Sequence, residues 1–236
     1  MSNDAPVVRC RNLSRVYDID AVPVTALSGV DLDIAPGEFV SLAGPSGSGK
    51  STLLNLIGAL DRPSAGEVVV DGVALAELDE AQLADLRLTK IGFVFQAYNL
   101  IPVLSARENV EFIMQLQGVP AAARRGRALE VLASLGMAEL ADRRPGEMSG
   151  GQQQRVAVAR AIVTRPALLL ADEPSANLDS ETTKGLLELL RRINVERHVT
   201  IVTATHDPMV MSYARRRVQL LDGRIVSDQR VAAETA

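Results

Sequence analysis

The chain contains a glycine-rich loop whose residues are suited to binding phosphate. Gly44-Pro-Ser-Gly-Ser-Gly-Lys50-Ser51 matches the pattern G-x-x-x-x-G-K-[ST] at every defined position. Its glycines let the backbone wrap closely, so that consecutive N–H groups can point at phosphate oxygens. Lys50 supplies a cation for the β- and γ-phosphates, and the hydroxyl of Ser51 can bind Mg2+. The loop therefore predicts a site for a nucleoside triphosphate.

An acidic pair follows an apolar run further along the chain. Ala167–Ala171 is continuously apolar and leads directly into Asp172 and Glu173. The carboxyl end of a buried parallel strand is where an α/β sheet places its ligands. There, Asp172 can take part in the Mg2+ shell and Glu173 can act as a general base toward an attacking water. Taken alone, such a pair caps a turn about as often, but the phosphate loop favours the catalytic interpretation.

A second helix start has the features of an anion site. Ser149 is a good N-cap, Gly150 and Gly151 are small, and the run that follows is strongly helical. Small residues leave the first N–H groups of a helix accessible, and the helix dipole favours negative charge there. From the residues alone, a simple capping role remains an equal alternative.

These residues need a frame of strands and helices. Glu38–Ala43 reads as a strand that runs into the loop, and Ser51–Leu60 reads as a helix buried on nearly every side. Ala167–Ala171 and Val199–Ala204 have the composition of central parallel strands, with a helix at Leu186–Ile193 between them. Strand, glycine-rich turn and helix is the context that a phosphate loop requires.

Other segments predict a smaller sheet and a helical insertion. The remaining predicted elements are a short strand at Val7–Cys10, hairpins at Val68–Val73 and Val218–Val226 with Asp-Gly turns, and helices at Ala106–Leu116 and Ala121–Leu135. The helices lie between prolines and a glycine in residues 97–147, which indicates a lobe inserted into the α/β core. Residues after about Asp228 are expected to fray.

The composition is that of an ordinary globular protein. The chain has 236 residues, 47 % hydrophobic and 23 % charged, and a net charge of −4, which gives no support for binding nucleic acid. Cys10 is the only cysteine, so no disulfide can form within the chain. We expect no signal peptide, because Met1–Pro6 lacks a basic and apolar start. We expect no membrane span, because no apolar run approaches about 20 residues.

Taken together, the motifs resemble the nucleotide-binding subunits of ABC transporters. The resemblance rests on five segments in the order of the family, which are the phosphate loop, Met148-Ser-Gly-Gly-Gln-Gln-Gln-Arg155, Asp172-Glu173-Pro174, Asn177-Leu-Asp179 and Thr205-His206-Asp207. It covers essentially the whole chain, 1–236, as a single domain. It implies an α/β fold, with a P-loop NTPase core of the RecA type, a mixed sheet, an antiparallel β subdomain and an α-helical subdomain inserted at about 97–163.

In this family, the signature of one subunit closes over ATP that the phosphate loop of another subunit holds. The resemblance therefore implies an ATPase that uses Mg2+ and forms a head-to-tail homodimer with two ATPs at its interface. It implies an integral membrane permease as partner, no nucleic acid, and a cytoplasmic location on the inner face of the membrane. The signature begins with Met148 where leucine is usual, a nearly volume-conserving change.

The resemblance also implies individual roles. Glu173, His206 and Gln96 are expected to be catalytic, with His206 contacting the γ-phosphate. Asp179 is expected to communicate across the dimer, and the expected Mg2+ ligands are Ser51, Gln96 and Asp172, the last directly or through water. The expected ATP-binding residues are Tyr17, Gly44, Pro45, Ser46, Gly47, Ser48, Gly49, Lys50, Ser51 and Thr52, and the expected signature residues acting in trans are Ser149, Gly150, Gly151 and Gln152. Tyr17 is placed against adenine, and a strand-edge tyrosine in a core is the alternative.

Three finer segments resemble the ATPases of lipoprotein-release and macrolide-export systems. They are Asp18–Leu27, Gln96–Val110 and Leu170–Ser180. In that group, the membrane partner has few spans and a large extracytoplasmic domain. A second interpretation is an ATPase that drives a non-transport membrane partner, such as a cell-division or signalling complex, and the chain does not separate the two. A third, a soluble ABC protein of translation or DNA repair, is disfavoured by the single nucleotide domain, the absence of a long coiled-coil insertion and the acidic balance.

Overall fold

Two β-sheets and seven α-helices make up the described part of the chain, residues 5–19 and 22–231 of a computed structural model. The strands are β1 (Val8–Ile19), β2 (Val22–Ile34), β3 (Phe39–Ala43), β4 (Ala65–Val70), β5 (Val73–Ala74), β6 (Ile91–Val94), β7 (Leu168–Asp172), β8 (Thr200–Thr205), β9 (Arg216–Leu221) and β10 (Arg224–Arg230). The helices are α1 (Lys50–Ile57), α2 (Glu80–Lys90), α3 (Ala106–Leu116), α4 (Ala121–Ser134), α5 (Gly150–Ile162), α6 (Ser180–Arg197) and α7 (Pro208–Tyr213).

The larger sheet is mixed and has its parallel strands at the centre. Its order is β10-β9-β3-β8-β7-β6, and β3, β8, β7 and β6 run parallel to one another. The register places Val40 beside Val202, and Val202 beside Leu170. The smaller sheet is antiparallel in the order β2-β1-β4-β5. The structure thus confirms the predicted α/β fold with a mixed sheet and an antiparallel sheet.

The central strands separate two apolar cores. One core contains side chains of α1, α2 and the antiparallel sheet, and the other contains side chains of α3, α4, α5 and α6. Along β7, Leu168 and Leu170 join the first core, while Leu169 and Ala171 join the second. This alternation is what a pleated strand covered on both faces requires. A separate helical subdomain at about 97–163 stays a prediction, because α3, α4 and α5 share their core with the sheet.

Side-chain caps set where several helices begin. Ser105 accepts from the Glu108 N–H while the Glu108 carboxylate accepts from the Ser105 N–H. Asp79 and Gln82 form the same reciprocal pair at the start of α2. Each cap satisfies backbone donors that a helix start leaves unpaired, and each contributes about 1 kcal/mol. The sequence predicted α3 with its observed bounds, and α2 was missed.

One strand prediction was too short, and one segment that was expected to fray is paired. The strand predicted at Val7–Cys10 is β1, which continues to Ile19 and pairs with β2 in a long hairpin. The described residues of the Asp18–Leu27 segment belong to these two paired strands, and residues 20–21 lie outside the described part of the chain. The expected fraying after Asp228 was also wrong up to Arg230, which is paired with Arg216 in the register of β9 and β10.

Two helix predictions differ in length. The helix predicted at Ser51–Leu60 ends at Ile57, because Ala59 turns to a left-handed φ of 55° and Leu60 is 45 % exposed. The helix predicted at Leu186–Ile193 is α6, which begins earlier because Asp179 caps it. No helix within residues 5–19 and 22–231 has both the length and the apolar character for crossing a membrane. The expectation of no signal peptide concerns Met1–Pro6, of which 1–4 are not described.

Candidate functional site

The parallel strands bring the predicted site residues to one edge of the sheet. The phosphate loop follows β3, Gln96 follows β6, Asp172 ends β7 and His206 follows β8. Because β3, β8, β7 and β6 are neighbours and parallel, their carboxyl ends lie side by side. This edge is where open α/β sheets bind their ligands.

The phosphate loop holds a backbone shape that depends on glycine. Gly44 has a φ of 150°, and a Cβ atom there would lie 2.3 Å from the Leu220 carbonyl oxygen. Any side chain at this position would displace either the loop or β9. The loop passes directly into α1, whose first residue is Lys50. The local order of strand, loop and helix is therefore the one predicted from the sequence.

The side chain of Lys50 folds back over the loop. It is only 7 % exposed, and its Nζ donates to the carbonyl oxygens of Gly44 and Pro45 at 2.8 Å each. Both acceptors are neutral carbonyl groups, so neither of them offsets the positive charge of Lys50. The ammonium group is thus positioned to attract an anion.

Ser51 and Asp172 face each other across the site. The Ser51 hydroxyl donates to Asp172 Oδ1 at 3.0 Å. Burial raises the pKa of the Asp172 carboxyl above its ordinary value, the hydrogen bond from Ser51 lowers it, and the negative charge of Glu173 raises it. The two side chains place three oxygen atoms close together, which is the donor chemistry that Mg2+ prefers.

Glu173 is held by two side chains from the end of β8. Its Oε2 accepts from the Thr205 hydroxyl at 3.0 Å, and its Oε1 lies 2.7 Å from Nδ1 of His206. The Glu173 side chain is 18 % exposed and that of His206 is 70 % exposed. Glu173 also has a left-handed φ of 43°, with its N–H bonded to the Ala204 carbonyl oxygen at 2.9 Å. The carboxylate is therefore oriented toward the site by its neighbours.

An open cavity of about 540 Å³ lies at this edge of the sheet, and Asp172 stands behind its wall in contact with the wall residue Ser51. Its lining residues are Ala26, Pro45, Ser46, Gly47, Gly49, Lys50, Ser51, Thr52, Gln96, Glu173 and His206. The structure thus brings together most of the predicted phosphate, catalytic and metal residues. Gly44 and Ser48 belong to the loop but not to the wall, and the Ser48 hydroxyl is buried without a partner among the described residues. Sequence reasoning missed Ala26 of β2 and the role of Thr205, although Thr205 lies in the quoted Thr205-His206-Asp207 segment.

Tyr17 is not in the wall of this cavity. Its hydroxyl donates to Asp61 Oδ2 at 2.7 Å, and the guanidinium carbon of Arg15 lies 4.4 Å from the centre of its ring. One face of the ring is therefore covered by a cation. The stacking of Tyr17 on adenine stays a prediction.

The signature residues line a different cavity from the phosphate loop. Ser149 and Gln152 form a reciprocal cap, with the Ser149 Oγ accepting at 3.3 Å and the Gln152 Oε1 accepting at 2.9 Å. Ser149, Gly151 and Gln152 line an open cavity of about 670 Å³, while Gly150 begins α5 beside them. Within the described chain, none of the four contributes to the wall around the phosphate loop. The signature residues and the phosphate loop therefore lie at two separate cavities of one chain.

Asp179 and its neighbours connect these cavities. Asp179 accepts from the Thr182 N–H at 2.9 Å and the Thr182 hydroxyl at 2.7 Å, and the first of these bonds contributes most to lowering the pKa of its carboxyl. Asn177 Nδ2 donates to the Gln96 carbonyl oxygen at 3.1 Å. The turn before α6 thus contacts both the backbone at Gln96 and the first turn of its own helix.

Comparison with known proteins gives consistent matches. The sequence model of the family described as ABC transporter matches residues 27–176. The chain is 47 % identical over 232 residues to a macrolide export ATP-binding/permease protein of Paracoccus denitrificans. The aligned region covers 98 % of this chain and 35 % of that relative. It is 45 % identical to an uncharacterized ABC transporter ATP-binding protein of Methanocaldococcus jannaschii, over 95 % of this chain and 97 % of that one.

A solved structure of that Methanocaldococcus jannaschii cassette aligns with a TM-score of 0.88 and 43 % identity, over 95 % of this chain and 99 % of that chain. That structure is a dimer in a post-hydrolysis state bound to ADP and Pi. The chain spans about a third of the length of the macrolide export relatives, 35 % and 34 % of the first two.

Proposed function

The chain belongs to the ABC transporter family, and from that membership we propose that it works as a head-to-tail homodimer whose ATP hydrolysis drives a separate membrane permease. It is an ATP-binding cassette and an ATPase, as its family and its solved neighbour indicate. The observation that carries the dimer is the separation of the phosphate-loop cavity from the signature residues within one chain. Both cavities are open, and a second copy placed head to tail would bring the signature residues of each chain to the phosphate loop of the other.

In this proposal, the phosphate loop binds the β- and γ-phosphates of ATP. The backbone N–H groups of Gly47, Gly49 and the start of α1 face the phosphate oxygens, and Lys50 exchanges its carbonyl partners for the phosphates. Ser51, Asp172 and Gln96 would hold Mg2+ through their oxygen atoms. The residues fit the ion because the Ser51 hydroxyl and the Asp172 carboxylate already lie 3.0 Å apart. When bound, Mg2+ supplies charge neutralisation on the β- and γ-phosphates.

Glu173 then acts as the base for the attacking water. A water proton passes to the Glu173 carboxylate as the water oxygen bonds to the γ-phosphorus, and the bond to the ADP oxygen breaks on the opposite side. Thr205 and His206 hold that carboxylate in place. The exposed ring of His206 can also turn its other nitrogen toward the γ-phosphate.

The signature completes the site from the second chain. The N-terminus of α5, with Ser149 and the small residues Gly150 and Gly151, supplies N–H donors and a favourable dipole to the partner's γ-phosphate. In a two-fold dimer the same contact occurs twice, so two ATPs lie at the interface. Asp179 lies in the turn before α6 and is proposed to contact the other chain.

The proposed partner is a permease of the export type. Support comes from relatives whose names combine an ATP-binding part and a permease in one protein, of which this chain corresponds to about a third. The cassette would lie against the inner face of the membrane through that permease. Purification of the chain from its native membranes tests the proposal. A co-purified permease with few spans and a large outer domain is expected, and a cell-division or signalling partner would replace the export proposal with the non-transport one.

Lys50→Ala should weaken ATP binding by about ten-fold or more, because a hydrogen bond to a charged group contributes about 1.5–3 kcal/mol. Calorimetric titration of the chain with ATP measures the effect. Lys90→Ala is the matched control, since Lys90 pairs with Asp71 at the surface and lies outside the cavity. Equal ATP affinity of Lys50→Ala and the wild type would contradict the assignment of the loop.

A further inference from the structure

The loop that follows Gln96 has an unusual backbone. Tyr98 and Asn99 are consecutive and both left-handed, with φ values of 57° and 51°. Residues with a Cβ atom rarely adopt this conformation, and tyrosine is less suited to it than asparagine. Such a conformation persists only where the surrounding structure holds it. We call residues 96–99 the Gln96 loop.

Arg160 of α5 holds both of these residues. Its Nη2 donates to the Tyr98 carbonyl oxygen at 3.0 Å, and its Nη1 donates to that of Asn99. Among the residues that the structure describes, Arg160 has no carboxylate within ion-pair distance, and burial lowers the pKa of its guanidinium. The two carbonyl oxygens are the hydrogen-bond acceptors of this partly buried guanidinium among the described residues. A planar guanidinium suits this task because it presents two parallel donors.

The same loop reaches the other end of α5. A Cβ atom on Gly150 would lie 2.7 Å from the Tyr98 hydroxyl, so the phenol lies against the first turn of the signature helix. The strand before the loop, β6, also lies close to α5. A Cβ atom on Gly92 of β6 would lie 2.4 Å from the Ala161 carbonyl oxygen, next to Arg160. The Gln96 loop and α5 are thus in contact near both ends of the helix.

We propose that Arg160 is a positioning residue that makes the Gln96 loop and the signature helix move as one unit. This inference rests on the proposed function, in which Gln96 serves the ATP of its own chain and Ser149 serves the ATP of the partner. A shift of Gln96 on ATP binding would then carry α5 with it. The state of one site would thereby set the position of the helix that closes the other site.

A purely structural role for Arg160 gives different expectations. An arginine in the last turn of a helix is also favoured by the helix dipole, and its loss would then lower stability alone. In that case the effect on turnover would be independent of Gln96. If Arg160 acts through Gln96, the two residues should be coupled, and a double-mutant cycle measures that coupling.

The test compares turnover in wild type, Arg160→Gln, Gln96→Ala and the double variant, at saturating ATP and with matched chain concentration. Arg160→Gln should lower kcat about ten-fold to a hundred-fold, because a small misplacement of a reacting group reduces the rate by about this much. Its ATP affinity as a dilute monomer should stay within about two-fold of wild type, because the phosphate loop is untouched. The double variant should be no slower than the slower single variant. Arg191→Gln, on the exposed face of α6, is the matched control for loss of one arginine.

The inference would be overturned if the kcat of the double variant fell by the product of the two single-variant losses. It would also be overturned if Arg160→Gln had the kcat of the wild type. If Arg160→Gln fails to fold, Arg160→Lys takes its place in the same cycle, because lysine keeps the charge but lacks the paired donors. A wild-type chain without ATPase activity would refute the proposed function itself. If the wild type is active and the kcat losses of the two single variants multiply in the double variant, only the role of Arg160 is refuted.

Discussion

Glu173→Gln should bind ATP as tightly as the wild type and hydrolyse it about 100-fold to 10,000-fold more slowly, the range that general-base catalysis contributes. The amide has nearly the volume of the carboxylate, so the cavity keeps its shape. Its oxygen can still accept from Thr205, but neither amide atom can take a proton from water. Steady-state phosphate release measures the rate, and calorimetry measures the affinity.

The same variant should accumulate as an ATP-bound dimer, because closure proceeds and hydrolysis does not. Light scattering with and without ATP measures the mass. Glu196→Gln is the matched control, since Glu196 is exposed near the end of α6 and does not line the cavity. Normal hydrolysis by Glu173→Gln would show that another group takes the proton.

Ser149→Arg should abolish hydrolysis while leaving ATP binding to the dilute monomer unchanged. The long side chain would fill the space before the first turn of α5, where the partner's γ-phosphate is proposed to lie. The change also removes the acceptor for the Gln152 N–H, so a stability loss of about 1 kcal/mol is expected. A loss of that size leaves the chain folded, and it cannot explain the absence of turnover.

Ser227→Arg on the edge strand β10 is the control for an added arginine, and it should hydrolyse ATP normally. Weaker ATP binding by monomeric Ser149→Arg would indicate that the signature serves its own chain. Wild-type turnover of Ser149→Arg would indicate that the signature does not contact ATP at all.

The sequence predicted the parts of the site that depend on local order. Strand, glycine-rich loop and helix are consecutive, and an apolar run that ends in Asp172 and Glu173 identifies a strand end. Because parallel neighbours align their carboxyl ends, the proximity of Asp172 and His206 follows from the two predicted central strands, whereas β6, the strand before Gln96, was not predicted. The cap at Ser149 likewise sets a helix start that was predicted from the sequence.

The missed features depend on contacts between distant segments. The extent of β1 is set by pairing with β2 and β4, which no local pattern of the Val7–Cys10 segment reveals. Arg160 reads as an ordinary helical arginine, and its bonds to Tyr98 and Asn99 exist only after α5 packs on β6. Ala26 lines the cavity because β2 passes the phosphate loop, and its small apolar side chain carries no chemical signal.

Cross-linking between chains that each carry one introduced cysteine tests the central claim, the shared ATP site, most directly. The natural Cys10 is buried and its pKa is raised to about 12 by burial, so it should not react near neutral pH. One chain carries Ser46→Cys in the phosphate loop, a second carries Ser149→Cys in the signature, and both carry Glu173→Gln so that ATP is retained.

Mixing the two chains with ATP and a short dithiol cross-linker should give a covalent product of one chain of each kind, and little without ATP. Each variant alone should give almost none, because a head-to-tail dimer brings phosphate loop to signature. Cross-linking of either variant to itself, or an internal bridge in a monomer that carries both cysteines, would contradict the shared site.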